Sequence, residues 1–357
     1  MLTILGRYIA KTIVIATLLV LLVITGLTTL MMLLAELKHL GEGDYGILQA
    51  VLYVLLRLPN EIYNFSPILI LLGSIIGLSI LSSHRELAVM RTAGFSVKRI
   101  MLNVLAVTCL LVVAMCALGE GVAPKLSYQA EISKENAKNA GQAVVTAAGI
   151  WLHVQNNFIH VQHVVGRELL EGVTRYEFNE QHQLQAAYYA KTLTYVNHQW
   201  QMNDMVKTTF SATGTESQTV QTALWDLKFN PNLLSMGLVS ANEMSLPRLA
   251  KFARYLEKNG LQASEYRYEF WQRILQPWVS VVMVFLAVPF VLGTLSTSTM
   301  GWRLMAGVLV GFAFFILNAL LAQLSIVYQL PPAIAAFSPL LIFTLLGMLL
   351  WRRLVVR

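Results

Sequence analysis

"SSHRELAVMRTAGFSVKR" occupies residues 82–99, between two long apolar stretches. It carries four basic residues, Arg85, Arg91, Lys98 and Arg99, and one carboxylate, Glu86. A short basic segment between runs long enough to cross a bilayer reads as a loop of a membrane protein, and its charge indicates the side it faces. The composition agrees: 56% of the residues are hydrophobic and 13% are charged, where a soluble domain carries about 25% charged.

Working outward from that loop, a span needs about 20 apolar residues. Six runs qualify, roughly 9–35, 60–82, 98–123, 268–294, 302–326 and 332–353. The first is too long for the apolar part of a signal peptide. The apolar pattern of the second begins near Leu48. Pro59 predicts a break that leaves 48–58 as an interfacial piece, and Pro67 predicts a kink in the span. One set of short loops carries ten basic residues: Arg7, Lys11, Arg85, Arg91, Lys98, Arg99, Arg303, Arg352, Arg353 and Arg357. The opposite short loops, 36–47 and 327–331, carry only Lys38. Basic loops stay in the cytoplasm, so both termini and the segment 82–99 are expected there, with 124–267 on the other side. The net charge of +7 is then largely accounted for by membrane orientation, which leaves no case for nucleic-acid binding. Of the 19 acidic residues, Glu86 alone falls on the cytoplasmic side.

The expected organisation is therefore a first membrane half over 1–123, an inserted domain over 124–267 and a second membrane half over 268–357. "GIWLHVQNNFIHVQHV" (149–164) and "RYEFNEQHQLQAAYYAKTLTYVNHQWQMNDMV" (175–206) are rich in aromatic and β-branched residues. With "NEQHQ" and "VNHQ" as turns they predict antiparallel hairpins in a sandwich or jelly-roll-like sheet. "SLPRLAKFARYLEKNG" (245–260) predicts a flanking helix with a cap at Ser245 and a stop at Gly260. Its apolar face is Leu246, Leu249, Phe252, Ala253 and Leu256.

Catalytic signatures are sparse. There is no Gly-Lys pair and hence no phosphate-binding P-loop, no HExxH and no GxSxG. Cys109 and Cys116 stand seven residues apart in one apolar run, too far for a disulfide on a helix, and read as packing residues. His153, His160 and His163 invite a metal site, but on a strand 160 and 163 point to opposite faces, so ordinary strand histidines and no metal are expected. Gly73–Gly77 and Gly307–Gly311 are GxxxG pairs that let helices approach closely, within the chain or at a partner interface. Arg57 and Glu61 lie near the outer membrane surface. Arg57 reads as a snorkelling side chain or, with Lys38, as a contact for an anionic lipid headgroup.

A short helix over 84–95 would carry Leu87, Val89, Met90 and Ala93 beside Glu86, with Arg91 on the same segment and Gly94 as its C-terminal stop. Apolar residues on a cytoplasmic loop need something to cover them. The reading that satisfies this is a coupling helix docked in a cleft of a soluble motor, with Glu86 pairing an Arg there. The plainer alternative is an amphipathic surface helix whose first-turn acid suits the helix dipole.

At this point a family resemblance can be stated. "GRYIAKTI" (6–13), "ELAVMRTAGFS" (86–96), "GEGVAP" (119–124), "LQPW" (275–278), "MGWR" (300–303) and "YQLPP" (328–332) resemble, in order and spacing, the LptF/LptG permease family of the lipopolysaccharide export machinery, nearer its LptG branch. The resemblance implies three spans, a periplasmic β-jellyroll, then three spans, in the inner membrane of a Gram-negative bacterium. It implies a paired LptF subunit, an LptB ATPase dimer that binds the ATP (so no cofactor in this chain), and an LptC helix beside the first span. Glu86 matches the family's coupling glutamate. Lipopolysaccharide is expected to enter from the outer leaflet through gates made by first and fifth spans, and to pass by the jelly-rolls to a periplasmic bridge toward the outer membrane. On span identity, Leu27, Leu30, Met31, Phe312 and Phe315 would line the acyl-chain path. Lys38 matches a basic position of the family, whereas His39 and Met32 stand where further basic residues are expected, so Arg57 is the candidate to compensate.

Two rival readings are an ABC-type mechanotransmitter that moves no substrate, against which six spans argue, and a membrane-embedded lipid-modifying enzyme. The enzyme would need convergent polar groups, whereas Asn103, Asn318 and Gln323 read as scattered.

Overall fold

The structure is a computed structural model that describes residues 4–138, 150–154, 157–165, 169–179, 181, 183–196, 199–211, 214–225, 240–258, 262–294 and 299–356. Six helical runs are long and apolar enough to cross a membrane. They are built on α1 (Ile4–Glu36), α3 (Ser66–Ser83), α5 (Val97–Ala117), α8 (Ser264–Pro289), α9 (Met300–Val327) and α10 (Pro332–Val356). Between them lie α2 (Ile47–Asn64), α4 (Glu86–Thr92), α6 (Ala123–Lys138) and α7 (Leu246–Lys258). The chain is a multi-pass membrane protein.

Three boundaries differ from the sequence reading. The break expected at Pro59 falls at Phe65 instead: α2 continues through Pro59 to Asn64, and α3 starts at Ser66 with Pro67 in its first turn. A first-turn proline sacrifices no helical hydrogen bond, so Pro67 starts the span rather than kinking it. The third span does not stop at 123. It passes through a π turn, Leu118–Val122, into α6, giving one helical run Val97–Lys138. The loop helix is shorter than 84–95, because Arg85 (φ 60°) and Gly94 (φ 87°) both take left-handed backbone conformations that bound it.

α3 is the centre of the bundle. Most of it is buried, whereas α1 and α9 are the least covered of the spans. The two GxxxG pairs both serve packing within the chain. On α3, a Cβ at Gly73 would lie 2.6 Å from Thr17 Cα, and one at Gly77 would lie 3.0 Å from Ile13 Cα, so α1 seats its backbone directly on α3. On α9, Gly307 and Gly311 receive Ile75 and Ile68 of α3. Both exposed spans thus rest on the same buried helix.

The inserted domain is a six-stranded antiparallel sheet in the order β1-β2-β3-β4-β5-β6, an up-and-down run of hairpins. Its strands are β1 (Ile150–Val154), β2 (Asn157–Val165), β3 (Leu169–Phe178), β4 (Leu184–Val196), β5 (Gln199–Ser211) and β6 (Gly214–Leu224). The expected "NEQHQ" turn is present: the Asn179 carboxamide oxygen accepts from the backbone N–H of Gln181 and Gln183. Pairing is interrupted at one level on five successive strands, at Gln162, Gly172, Lys191, Asp204 and Gln221. Gly172 and Asp204 have positive φ there, and the pairing of β3 with β4 shifts register at Glu177/Phe178. Leu170, Leu193 and Trp200 with Ile159, Val161, Val173 and Met205 form one buried cluster. The flanking helix behaves as read: Leu249, Phe252 and Ala253 are buried, with Phe252 edge-on to Tyr266 of α8 at 4.7 Å. Its expected stop, Gly260, lies outside the described residues, as do the side chains of His153 and His163.

Candidate functional site

α4 hangs from the end of α3 at the side of the bundle that carries both chain termini. Its C-terminus closes as a Schellman-type turn: Phe95 N–H donates to Met90 C=O at 2.9 Å and Gly94 N–H to Arg91 C=O at 3.1 Å. The seven-residue helix divides its apolar residues between two faces. Leu87 and Met90 are buried in the main bundle core, not turned outward as the docking reading placed them. A helix lying on a membrane bundle has a core beneath it, and its largest apolar side chains satisfy that core first. What faces out is Val89, 65% exposed, with Ala88, Arg91, Thr92, Ala93 and Gly94. Glu86 lies at the edge of this face, with its side chain 30% exposed. Its Oε1 accepts from the Tyr8 hydroxyl of α1 at 3.1 Å and is 3.7 Å from His84 Nδ1.

At the opposite, domain-bearing end, charged residues form a collar between the spans and the inserted domain. The Glu36 carboxylate at the end of α1 accepts from Lys134 Nζ of α6 at 2.8 Å and from the Tyr45 hydroxyl at 2.9 Å. Tyr53 of α2 donates to Glu131 of α6 at 3.1 Å, and its ring carries the Lys134 ammonium 4.4 Å from its centre. Arg273 of α8, 4% exposed, is the hub. It donates to Glu120 Oε1 at 2.6 Å, to Gly119 C=O at 3.1 Å and to Asn242 C=O at 3.1 Å, and lies over the Tyr63 ring. Gly119 is required here, since a Cβ would stand 2.5 Å from Tyr63 Cε2.

Arg57 belongs to this collar. It bonds Glu243, a carboxylate 2% exposed just before α7, and the Tyr53 hydroxyl. It makes no hydrogen bond or ion pair with Glu61, whose carboxyl burial pushes above the usual range while Arg57 pulls it back. Arg57 is therefore engaged within the chain, and a lipid-headgroup contact of the kind expected for it would compete with the Glu243 ion pair. Arg57→Met is expected to destabilise the chain by about 3 kcal/mol, because Glu243 is left buried and unpaired; Arg57→Met/Glu243→Leu should recover most of that loss in thermal unfolding in detergent. Lys38 is exposed and has no ion-pair partner among the described residues.

The residues assigned to the acyl path all lie on bare helix surface. Leu27, Leu30 and Met31 of α1 are 55–65% exposed, and Phe312 and Phe315 of α9 are 58% and 52% exposed. Phe315 also stacks on Phe65, with ring centres 5.9 Å apart. These apolar strips on α1 and α9 flank α3. Polar groups do converge in one place that the sequence reading treated as scattered. Asn318 accepts from the Tyr268 hydroxyl at 2.9 Å, beside a cavity of about 300 Å³ also lined by Glu61, Glu269, Gln272 and Gln276. That lining carries the carboxylates of Glu61 and Glu269 and the Tyr268 hydroxyl, and contains no Ser, Thr, Cys, His or Lys.

The chain thus has a short helix with one exposed face at the end of a buried span, two bare apolar spans beside that span and an inserted β-domain. The family model for "Lipopolysaccharide export system permease LptF/LptG" covers residues 7–353. The chain belongs to the LptF/LptG family. The chain is 32% identical over 354 residues to the lipopolysaccharide export system permease protein LptG of Escherichia coli (strain K12), covering 98% of each chain. It is 32% identical to the protein of that name from Haemophilus influenzae (strain Rd), covering 96% of each. The inserted β-region is a single antiparallel sheet of six strands in sequential order, where the resemblance implies a jellyroll. Sequence reasoning missed Tyr8, Glu36, Lys134 and Arg273. Tyr8 reads as an interfacial belt residue, and the partners of the other three lie on distant elements.

Proposed function

We propose that the chain is the membrane-embedded permease subunit of an ABC exporter that takes lipopolysaccharide from the outer leaflet of the inner membrane and hands it, through its periplasmic β-domain, to a bridge toward the outer membrane. It pairs with a paralogous LptF subunit, and a separate LptB ATPase dimer binds and hydrolyses the ATP. LptC supplies a helix beside α1. The termini and α4 face the cytoplasm, consistent with the ten basic residues on that side and with Glu86 as its single acid.

The observation that carries this reading is the position of α3. It bears α4 at one end and seats both α1 and α9 through glycine contacts. A motor that grips α4 by Glu86, Val89 and Arg91, with Ala93 and Gly94 beneath the cleft wall, moves α3. α3 in turn displaces the two spans whose bare apolar strips face the lipid. Leu87 and Met90 take part from the inside, as the joint between α4 and the bundle core. When the cavity between the two permease subunits narrows, the acyl chains lose their apolar wall (Leu27, Leu30, Met31, Phe312 and Phe315) and the lipid leaves toward the sheet. Lys38, exposed and without an ion-pair partner among the described residues, offers its ammonium to a lipid phosphate.

The test is co-expression with the LptF and LptB partners, followed by ATP-driven release of lipopolysaccharide from proteoliposomes. Wild type should assemble and release lipid. Glu86→Lys should lose the ATPase or the release, since a like charge meeting an Arg in a cleft costs several kcal/mol. Assembly and release at the wild-type rate with Glu86→Lys would overturn the docking assignment.

A further inference from the structure

The Tyr8–Glu86 hydrogen bond has no part in the mechanism above. Tyr8 lies in the first turns of α1, 78 residues before Glu86, and the bond joins a bare span to the docking helix. The two oxygens of Glu86 are in different states. Oε1 is held by the Tyr8 hydroxyl, whereas Oε2 is enclosed by the protein and lacks a hydrogen-bond partner among the described residues. An enclosed carboxylate oxygen without a donor is costly, so the bond from the Tyr8 hydroxyl is what holds this carboxylate among the described residues.

Resting on the reading that α4 docks on the ATPase, we propose that Tyr8 is a positioning residue: its hydroxyl holds Glu86 by Oε1 and so ties α1 to the docking helix through that one carboxylate. The argument is mechanical. The glycine contacts between α1 and α3 are close packing, which resists compression but gives little resistance to separation. A charge-assisted hydrogen bond resists separation. When the motor pulls α4 away from the membrane, packing alone lets α1 lag behind, and the Tyr8–Glu86 bond makes it follow. One subunit thus transmits a push through α3 and a pull through Tyr8.

Tyr8→Phe removes the hydroxyl and keeps the ring. In the full complex in proteoliposomes, this variant should assemble and hydrolyse ATP within about twofold of wild type. Lipopolysaccharide released per ATP should fall about tenfold, the effect of losing one hydrogen bond to a charged group. A residue that only packs would alter recovery or melting temperature and leave that ratio unchanged, so an unchanged ratio overturns the proposal. The second measurement is a double-mutant cycle with Glu86→Gln. If Tyr8 acts through Glu86, Tyr8→Phe adds less than about twofold in the Glu86→Gln background; full additivity overturns the proposal. Glu86→Lys separates the two layers. If it assembles and exports like wild type, the docking reading fails, whereas its failure together with a wild-type ratio for Tyr8→Phe defeats only the role of Tyr8.

Discussion

Arg273→Met is expected to destabilise the chain by about 3–5 kcal/mol. The guanidinium is nearly inaccessible and serves three acceptors on two segments: Glu120 and the Gly119 carbonyl of the π turn, and the Asn242 carbonyl just before α7. Methionine fills much of the volume but donates nothing, so these acceptors are left without their donor, and only Glu120 is partly open to water. Glu120 has a second bond, accepting from the Leu246 N–H at 3.0 Å, and it will hold α7 only in part once its counter-charge is gone. The loss should appear as a lower melting temperature in detergent and as proteolysis between α7 and α8. Arg273→Lys should recover a fraction, since an ammonium supplies charge without the planar fork that reaches several acceptors at once.

Gly73→Leu is the second large effect. A Cβ at this position would fall 2.6 Å from the Thr17 backbone Cα, and a backbone atom cannot turn aside as a side-chain tip can. α1 must move off α3, which exposes the closest seam in the bundle. The expected cost is about 3 kcal/mol, the upper end of what overpacking produces. Lipid release should fall further than stability does, because the seam is also the path from α4 to α1. Gly26→Leu is the control on the same pair of helices. A Cβ there has nothing within 4 Å, so the melting temperature of the isolated chain should stay within the range of neutral surface changes, about 0.5 kcal/mol.

The parts legible in the sequence are those governed by local physics. A run of some twenty apolar residues has few other uses, and all six spans are present. The hairpins of the inserted sheet follow from alternation and turn residues such as Asn179. The break between α2 and α3 was misplaced because two prolines compete there. Pro59 sits inside a helix held by tertiary contacts, whereas Pro67 occupies a first turn that favours it. α4 was legible as a helix, but not which way it faces: an amphipathic pattern shows that one face is covered, not by what. Leu87 and Met90 are covered by the protein's own bundle. The central place of α3 left no periodic signal, since a helix that is apolar all round offers every direction to a neighbour. The collar was out of reach for another reason. Glu36 with Lys134 and Arg57 with Glu243 stand 98 and 186 residues apart, and pairing at such separations is decided by the fold.

The central claim is that the outward face of α4 is where a soluble ATPase grips the permease. A photo-crosslinking amino acid at Val89 tests it most directly, since Val89 is the large apolar residue that α4 turns away from its own core. In cells, irradiation should join the chain to an ATPase subunit, and Glu86→Lys should abolish the product. The same probe at Leu102, equally exposed but on the membrane-facing surface of α5, should give no such product. An equal ATPase crosslink from Leu102, or none from Val89 in cells that export lipopolysaccharide normally, would contradict the account.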